Sequence, residues 1–242
     1  MTQPTIITAQ TKGYSSTGGS TTTKTFEDVV VPAEANTFIV LIGSTSDEAI
    51  RSWQSLTYGD SAAVLTHLVD VSAVDNSPST LVAIFDVSGA GAMTADVVGV
   101  LSSNTGGSTV CGVICSTGFV ESYATSVERS TTTDQHRVFS PNYANNIAVT
   151  LTCLHQDLPD LSITDGTELF KYQDAGSSTN VGTFAILQTT SNAQGGKVTS
   201  YTLPSPEESS TINIFLSTQR NPFATSFEPV IRSIISHDVI SQ

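Results

Sequence analysis

Four carboxylates, Asp157, Asp160, Asp165 and Glu168, cluster around an Asp165-Gly166 turn. Calcium takes several oxygen ligands from a bent loop, and this segment offers that chemistry in outline. It lacks the D-x-D-x-D periodicity of a dedicated calcium loop, and the same residues also make an ordinary solvated turn. A glycosidase pair needs two carboxylates at a set separation with one pKa raised, and spacing in sequence supplies neither. Three thiols, Cys111, Cys115 and Cys153, form an odd set without metal-ligand spacing. Residues four apart in a strand stand roughly 13 Å from each other, too far for Cys111 to bridge Cys115. Cys153 is open to pairing with either of them. The plainer alternative is three buried, reduced thiols acting as small hydrophobes.

Phosphate and nucleophile chemistry has less to stand on. Gly18–Thr25 (GGSTTTKT) sets Gly18, Lys24 and Thr25 at phosphate-loop spacing, with Thr23 where the second glycine belongs. A loop precedes it and a Thr-rich strand follows, so the strand–loop–helix context is missing. His67, His136, His155 and His237 are scattered, and no G-x-S-x-G, HExxH, HxH or CxxC motif accompanies them. Trp53 and Tyr58 bracket the approach to a Gly59-Asp60 turn and would make a small sugar-stacking platform if exposed. Burial under a loop is the alternative fate of the lone tryptophan. No catalytic residue, cofactor or metal site is assigned, and the chain is expected not to be an enzyme.

The elements that position these residues read as strands. Of 242 residues only 13% are charged, and Ser, Thr, Asn and Gly fill the gap, a mixture suited to Thr-faced strands and tight turns. Thr37–Gly43 (TFIVLIG) is a continuous apolar run, as expected of a strand buried on both faces. Asn146–His155 alternates instead, with Ile147, Val149, Leu151 and Cys153 on one face and Thr150 and Thr152 on the other. Strand signals also cover Thr21–Val31, Ser55–Tyr58, Ala63–Asp70, Thr80–Val87, Met93–Ser102, Thr109–Thr117 and Ser126–Asp134. They resume over Leu169–Gln173, Gly182–Thr190, Lys197–Leu203 and Thr211–Thr218. About a dozen short strands without helical periods predict an all-β fold, a single antiparallel β-sandwich of jelly-roll type over residues 22–220. No solenoid or propeller repeat accompanies them.

Residues 1–21 read as a flexible N-terminal arm, and the Gly/Ser/Thr-rich stretch Thr11–Thr23 spans its end. Residues 221–242 form an apolar tail with Phe223, Phe227, Val230, Ile231, Ile234, Ile235, Val239 and Ile240, legible as a helix from Pro229 or as a last strand. Eight large apolar side chains need cover, from the chain's own sandwich or from a neighbouring subunit. Acidic residues number 22 against 9 basic ones, a formal charge of −13. A field of that sign repels phosphate backbones and anionic membrane surfaces, so neither nucleic acid nor a membrane is an expected partner. The N-terminus lacks the pattern of a signal peptide, and no apolar run approaches a membrane span.

The order of motifs over Asn36–Asp86 and beyond has a counterpart. An apolar FIVLIG strand is followed by S-L-T-Y-G-D, V-L-T-H-L-V and T-L-V-A-I-F, then a Gly-Ala-Gly turn and T-A-D-V-V-G-V. This resembles a β-sandwich domain common in bacteriophage open reading frames, and the likeness runs loosely from Thr22 to Ser217. Asp60 departs from the second glycine usual after the Tyr-Gly turn, and the tail is not part of the pattern. The resemblance implies a virion structural component: a head decoration protein, a neck or head fibre, or a tail accessory protein. Such a chain is made in the host cytoplasm, ends in the virion, and partners other virion proteins as a homo-oligomer. A module binding host-surface glycans is the alternative, and a glycan hydrolase a distant third.

Overall fold

A computed structural model describes residues 3–13, 22–44, 52–71, 78–102, 109–128, 135–139, 147–155, 162–173, 181–189, 198–202 and 209–219. Every regular element among them is a strand, and every pairing is antiparallel. The first eight are β1 (Ile6–Gly13), β2 (Thr23–Val31), β3 (Thr37–Ser44), β4 (Trp53–Tyr58), β5 (Val64–Val71), β6 (Ser79–Asp86), β7 (Met93–Leu101) and β8 (Thr109–Ser116). The next eight are β9 (Phe119–Glu128), β10 (Gln135–Phe139), β11 (Ile147–His155), β12 (Ser162–Asp165), β13 (Thr167–Gln173), β14 (Val181–Thr189), β15 (Val198–Thr202) and β16 (Ser209–Ser217). The sheets pack as a sandwich, as the strand spacing predicts.

The stacking follows from which faces are apolar. A five-stranded sheet in the order β1-β8-β3-β6-β5 is buried on both sides, so β3, β6 and β8 lack the alternation of a half-exposed strand. One face carries Phe38, Val40, Ile42 and Phe85 and packs on a three-stranded sheet, β2-β7-β4, through Phe26, Trp53, Tyr58 and Val97. The other face carries Ile39, Leu41, Ile84 and Ile114. It packs on a second five-stranded sheet, β13-β14-β11-β16-β9, through Val149, Leu151, Ile212 and Ile214. A second three-stranded sheet has the order β10-β15-β12. The sandwich is thus built from two eight-strand sets, β1–β8 and β9–β16, rather than from one.

Two sequence expectations change. Residues 6–13, expected inside a flexible arm, form β1, which pairs along β8 and closes that side of the first five-stranded sheet. Ile7 packs against the core between the first two sheets and Ile6 and Ala9 against the core between the five-stranded sheets, which gives the segment its anchor. Of the strand expected at Ser126–Asp134, residues 126–128 end a longer one, β9, at an edge of its sheet, and residues 129–134 lie outside the described residues. Residues 14–21 and the tail, 221–242, lie outside the described residues.

Candidate functional site

Trp53 and Tyr58 face inward, which corrects the sugar-platform reading. Trp53 is 4% exposed and its Nε1 donates to the Ser79 carbonyl at 3.0 Å. Tyr58 is 7% exposed, and its hydroxyl donates to the Val29 carbonyl at 2.9 Å. The Tyr58 ring meets Phe38 edge-on at 5.0 Å, within the first half's core. Burial, reinforced by the nearby Asp60 carboxylate, pushes the Tyr58 phenol up to about 12. Both aromatics are spent on cohesion of the core.

The three cysteines are buried and free, so neither pairing open to Cys153 is made. Burial raises the Cys115 thiol to about 12 and the Cys153 thiol to about 11, and carries Cys111 higher still. A nucleophile or metal ligand needs the thiolate, which burial withholds here. Cys153 donates to Thr183 Oγ1 at 3.8 Å across the β11–β14 pair. Thr80, from β6 of the other five-stranded sheet, bears on the same thiol.

The remaining candidates are dispersed. Lys24 is buried within β2, a strand where a phosphate loop requires a helix to begin. His67 sits half-buried in β5 beside Thr66 Oγ1 at 3.1 Å, and desolvation lowers its pKa. His136 and His155 lie in β10 and β11, on two further sheets, while His237 lies outside the described residues. Of the acidic loop, Asp157 and Asp160 also lie outside them. Asp165 ends β12, Gly166 takes φ 113° in the predicted Asp-Gly turn, and Glu168 is exposed in β13. Among the described residues no group of three or more His, Cys, Asp and Glu side chains could hold a metal ion. No described helix is long and apolar enough to cross a membrane.

One polar arrangement escaped the sequence reading. Asp28 takes φ 54° at the bulge where β2 shifts register against β7 between Phe26 and Val29. Its N–H donates to Asp96 Oδ1 at 3.1 Å, and its carbonyl accepts from Lys12 Nζ at 2.8 Å. Aspartate tolerates the left-handed region better than most residues, and here the bulge ties β1, β2 and β7 together. The signal for it was Glu27-Asp28, two adjacent exposed polar residues interrupting the alternation of β2. The described side chains thus gather around packing surfaces and turn locks. Compared with known proteins, the chain matches no family model, no curated protein and no solved structure.

Proposed function

We propose that this chain is a non-enzymatic structural component of a bacteriophage virion, a head decoration, neck or head-fibre, or tail accessory protein working through protein–protein assembly contacts. The observation that carries the reading is the winding of β1–β8, in the order 1-8-3-6-5 against 2-7-4. We read that order as a variant of jelly-roll winding with the fifth strand moved to the larger sheet, and jelly rolls recur in viral capsid and lectin domains. Fold alone does not assign function, so the sequence likeness to phage sandwich domains is the second support. The excess of acidic residues, 22 against 9, suits a particle exterior that repels free nucleic acid. With Trp53 and Tyr58 turned inward, no described aromatic surface favours glycan binding over assembly.

Light scattering on the full chain and on a chain ending at Gln219 tests the reading, together with co-sedimentation on purified particles that lack the protein. The expected result is an oligomer or a particle-bound species that reverts to free monomer when the apolar tail is removed. A full chain that stays monomeric and sediments with no particle, yet binds or cleaves host-envelope saccharides, overturns it.

A further inference from the structure

We infer that the chain is two copies of one eight-stranded unit joined in tandem, and that the inner face of each five-stranded sheet is a dimerisation surface whose fitting partner is a second copy of that unit. Adding eight to every strand of β1-β8-β3-β6-β5 gives β9-β16-β11-β14-β13, and adding eight to β2-β7-β4 gives β10-β15-β12. Both derived orders are the observed ones, so all sixteen strands obey one rule.

The likeness extends to register. In the first half β1 bulges where Ile6 and Thr8 face Ser116 and Cys115. In the second half β9 bulges where Val120 and Ser122 face Leu216 and Phe215. Bulges are specified features of a fold, and this one recurs between the same two strands of each unit. It fixes the correspondence. Cys115 matches Phe215, so their β3 and β11 partners Phe38 and Ala148 match, and five residues on Gly43 matches Cys153. The β6 and β14 partners of that last pair are Thr80 and Thr183, the same residue type in both halves.

The units meet as a twofold pair does. β8 packs on β14 while β6 packs on β16, a reciprocal exchange in which each sheet presents its sixth strand to the other's eighth. A residue that touches its own counterpart marks the axis, and two pairs do so. A Cβ at Gly43 would lie 2.5 Å from Cys153 Sγ, and a Cβ at Gly118 would lie 2.6 Å from the Cβ of its counterpart Pro4. The second pair also sits where the halves join, since the Thr117 N–H donates to the Thr5 carbonyl at 3.0 Å. The chain is a dimer made covalent about a local twofold, from which the edges depart, since β1 packs on β13 without a β9–β5 contact of like extent.

The experiment is an exchange of residues across the axis in the full chain, read as urea midpoints. Gly43→Cys alone collides with the Cys153 thiol, and Cys153→Gly alone leaves a hole, so both midpoints fall. In Gly43→Cys with Cys153→Gly the new thiol occupies the mirrored place between Thr80 and Thr183. The midpoint is expected to recover most of the loss, and to exceed that of Gly43→Ala with Cys153→Gly. An exchange variant no more stable than Gly43→Cys, or no better than the alanine control, overturns the inference.

Discussion

Gly99 lies in β7 where the side chains of Ile42 and Trp53 converge on the backbone. A Cβ there would sit 2.6 Å from Ile42 Cδ1 and 2.7 Å from Trp53 Cζ3. Ordinary carbon contacts begin near 3.5 Å, so each neighbour must retreat by about 1 Å. Neither is free to do so: Ile42 is 0% exposed, and Trp53 is held at its other end by the bond to Ser79. Overpacking of this kind costs about 1–3 kcal/mol. An indole that yields also forfeits a hydrogen bond worth about 0.5–1.5 kcal/mol. Alanine's smaller unfolded-state entropy returns about 0.4–1 kcal/mol, leaving Gly99→Ala destabilised by about 2–3 kcal/mol. Ile42→Val removes the colliding Cδ1 and alone costs about 1 kcal/mol. The double variant should fall short of the sum of the two by about 1 kcal/mol. Urea unfolding followed by the fluorescence of the single tryptophan reports from the site itself. A Gly99→Ala chain within about 0.5 kcal/mol of the parent, or strict additivity with Ile42→Val, would refute the reasoning.

Two further outcomes are expected. Thr150 Oγ1 is buried without a hydrogen-bond partner, and Val40 holds the matching position in the first half, so Thr150→Val should raise stability by about 1 kcal/mol. An unchanged or lower urea midpoint would count against it. The second outcome is alkaline destabilisation, because the fold excludes the ionised forms of Cys153, Cys115 and Tyr58, whose folded pKa values lie at about 11, 12 and 12. With folded values raised, their contribution is complete below the unfolded pKa values, near 9 for the thiols and 10 for the phenol, and is lost as pH rises through the folded ones. Stability measured from pH 8 to 11.5 should therefore decline, and Tyr58→Phe should flatten only the part above about pH 10. A Tyr58→Phe profile parallel to the parent's would place the alkaline loss elsewhere.

Most strands were legible because their burial is regular. β3 reads as a run buried on both faces since it lies in the middle of three layers, and it is buried throughout. The Asp165-Gly166 turn was legible because only a residue tolerant of positive φ serves there. β1, β10 and β12 were not, being strands of 8, 5 and 4 residues whose pairing comes from distant segments rather than from their own pattern. The repeat was hidden for a related reason. Strand order and register are kept by backbone pairing, which is blind to side-chain identity, while the packing positions have diverged. Val113 matches Asn213, Ile42 matches Thr152, and Phe38 matches Ala148 while Cys115 matches Phe215, a large-for-small exchange between neighbours. Leu41 and Leu151, or Ile114 and Ile214, survive as identities because they face the shared interface.

That pattern of divergence separates two kinds of constraint on one fold. On the interface faces each half is the other's partner, so a change in one must suit its counterpart across the axis, and aliphatic residues persist on both sides. The outward faces of the five-stranded sheets are released from that coupling. In the first half that face has an aromatic and aliphatic core, in which Phe38, Phe85 and Tyr58 meet ring to ring beside Trp53. In the second half the described part of the matching face carries hydroxyls and an amide beside Ala148 and Phe215. Thr152 and Thr211 satisfy each other at 3.1 Å, whereas Thr150 Oγ1 and Asn213 Oδ1, opposite one another in register, are buried and unpaired. An apolar face contributes cohesion roughly in proportion to the area it hides, while an unpaired buried polar group subtracts from it. Among the described residues the two copies therefore share a topology while filling that face with different chemistry.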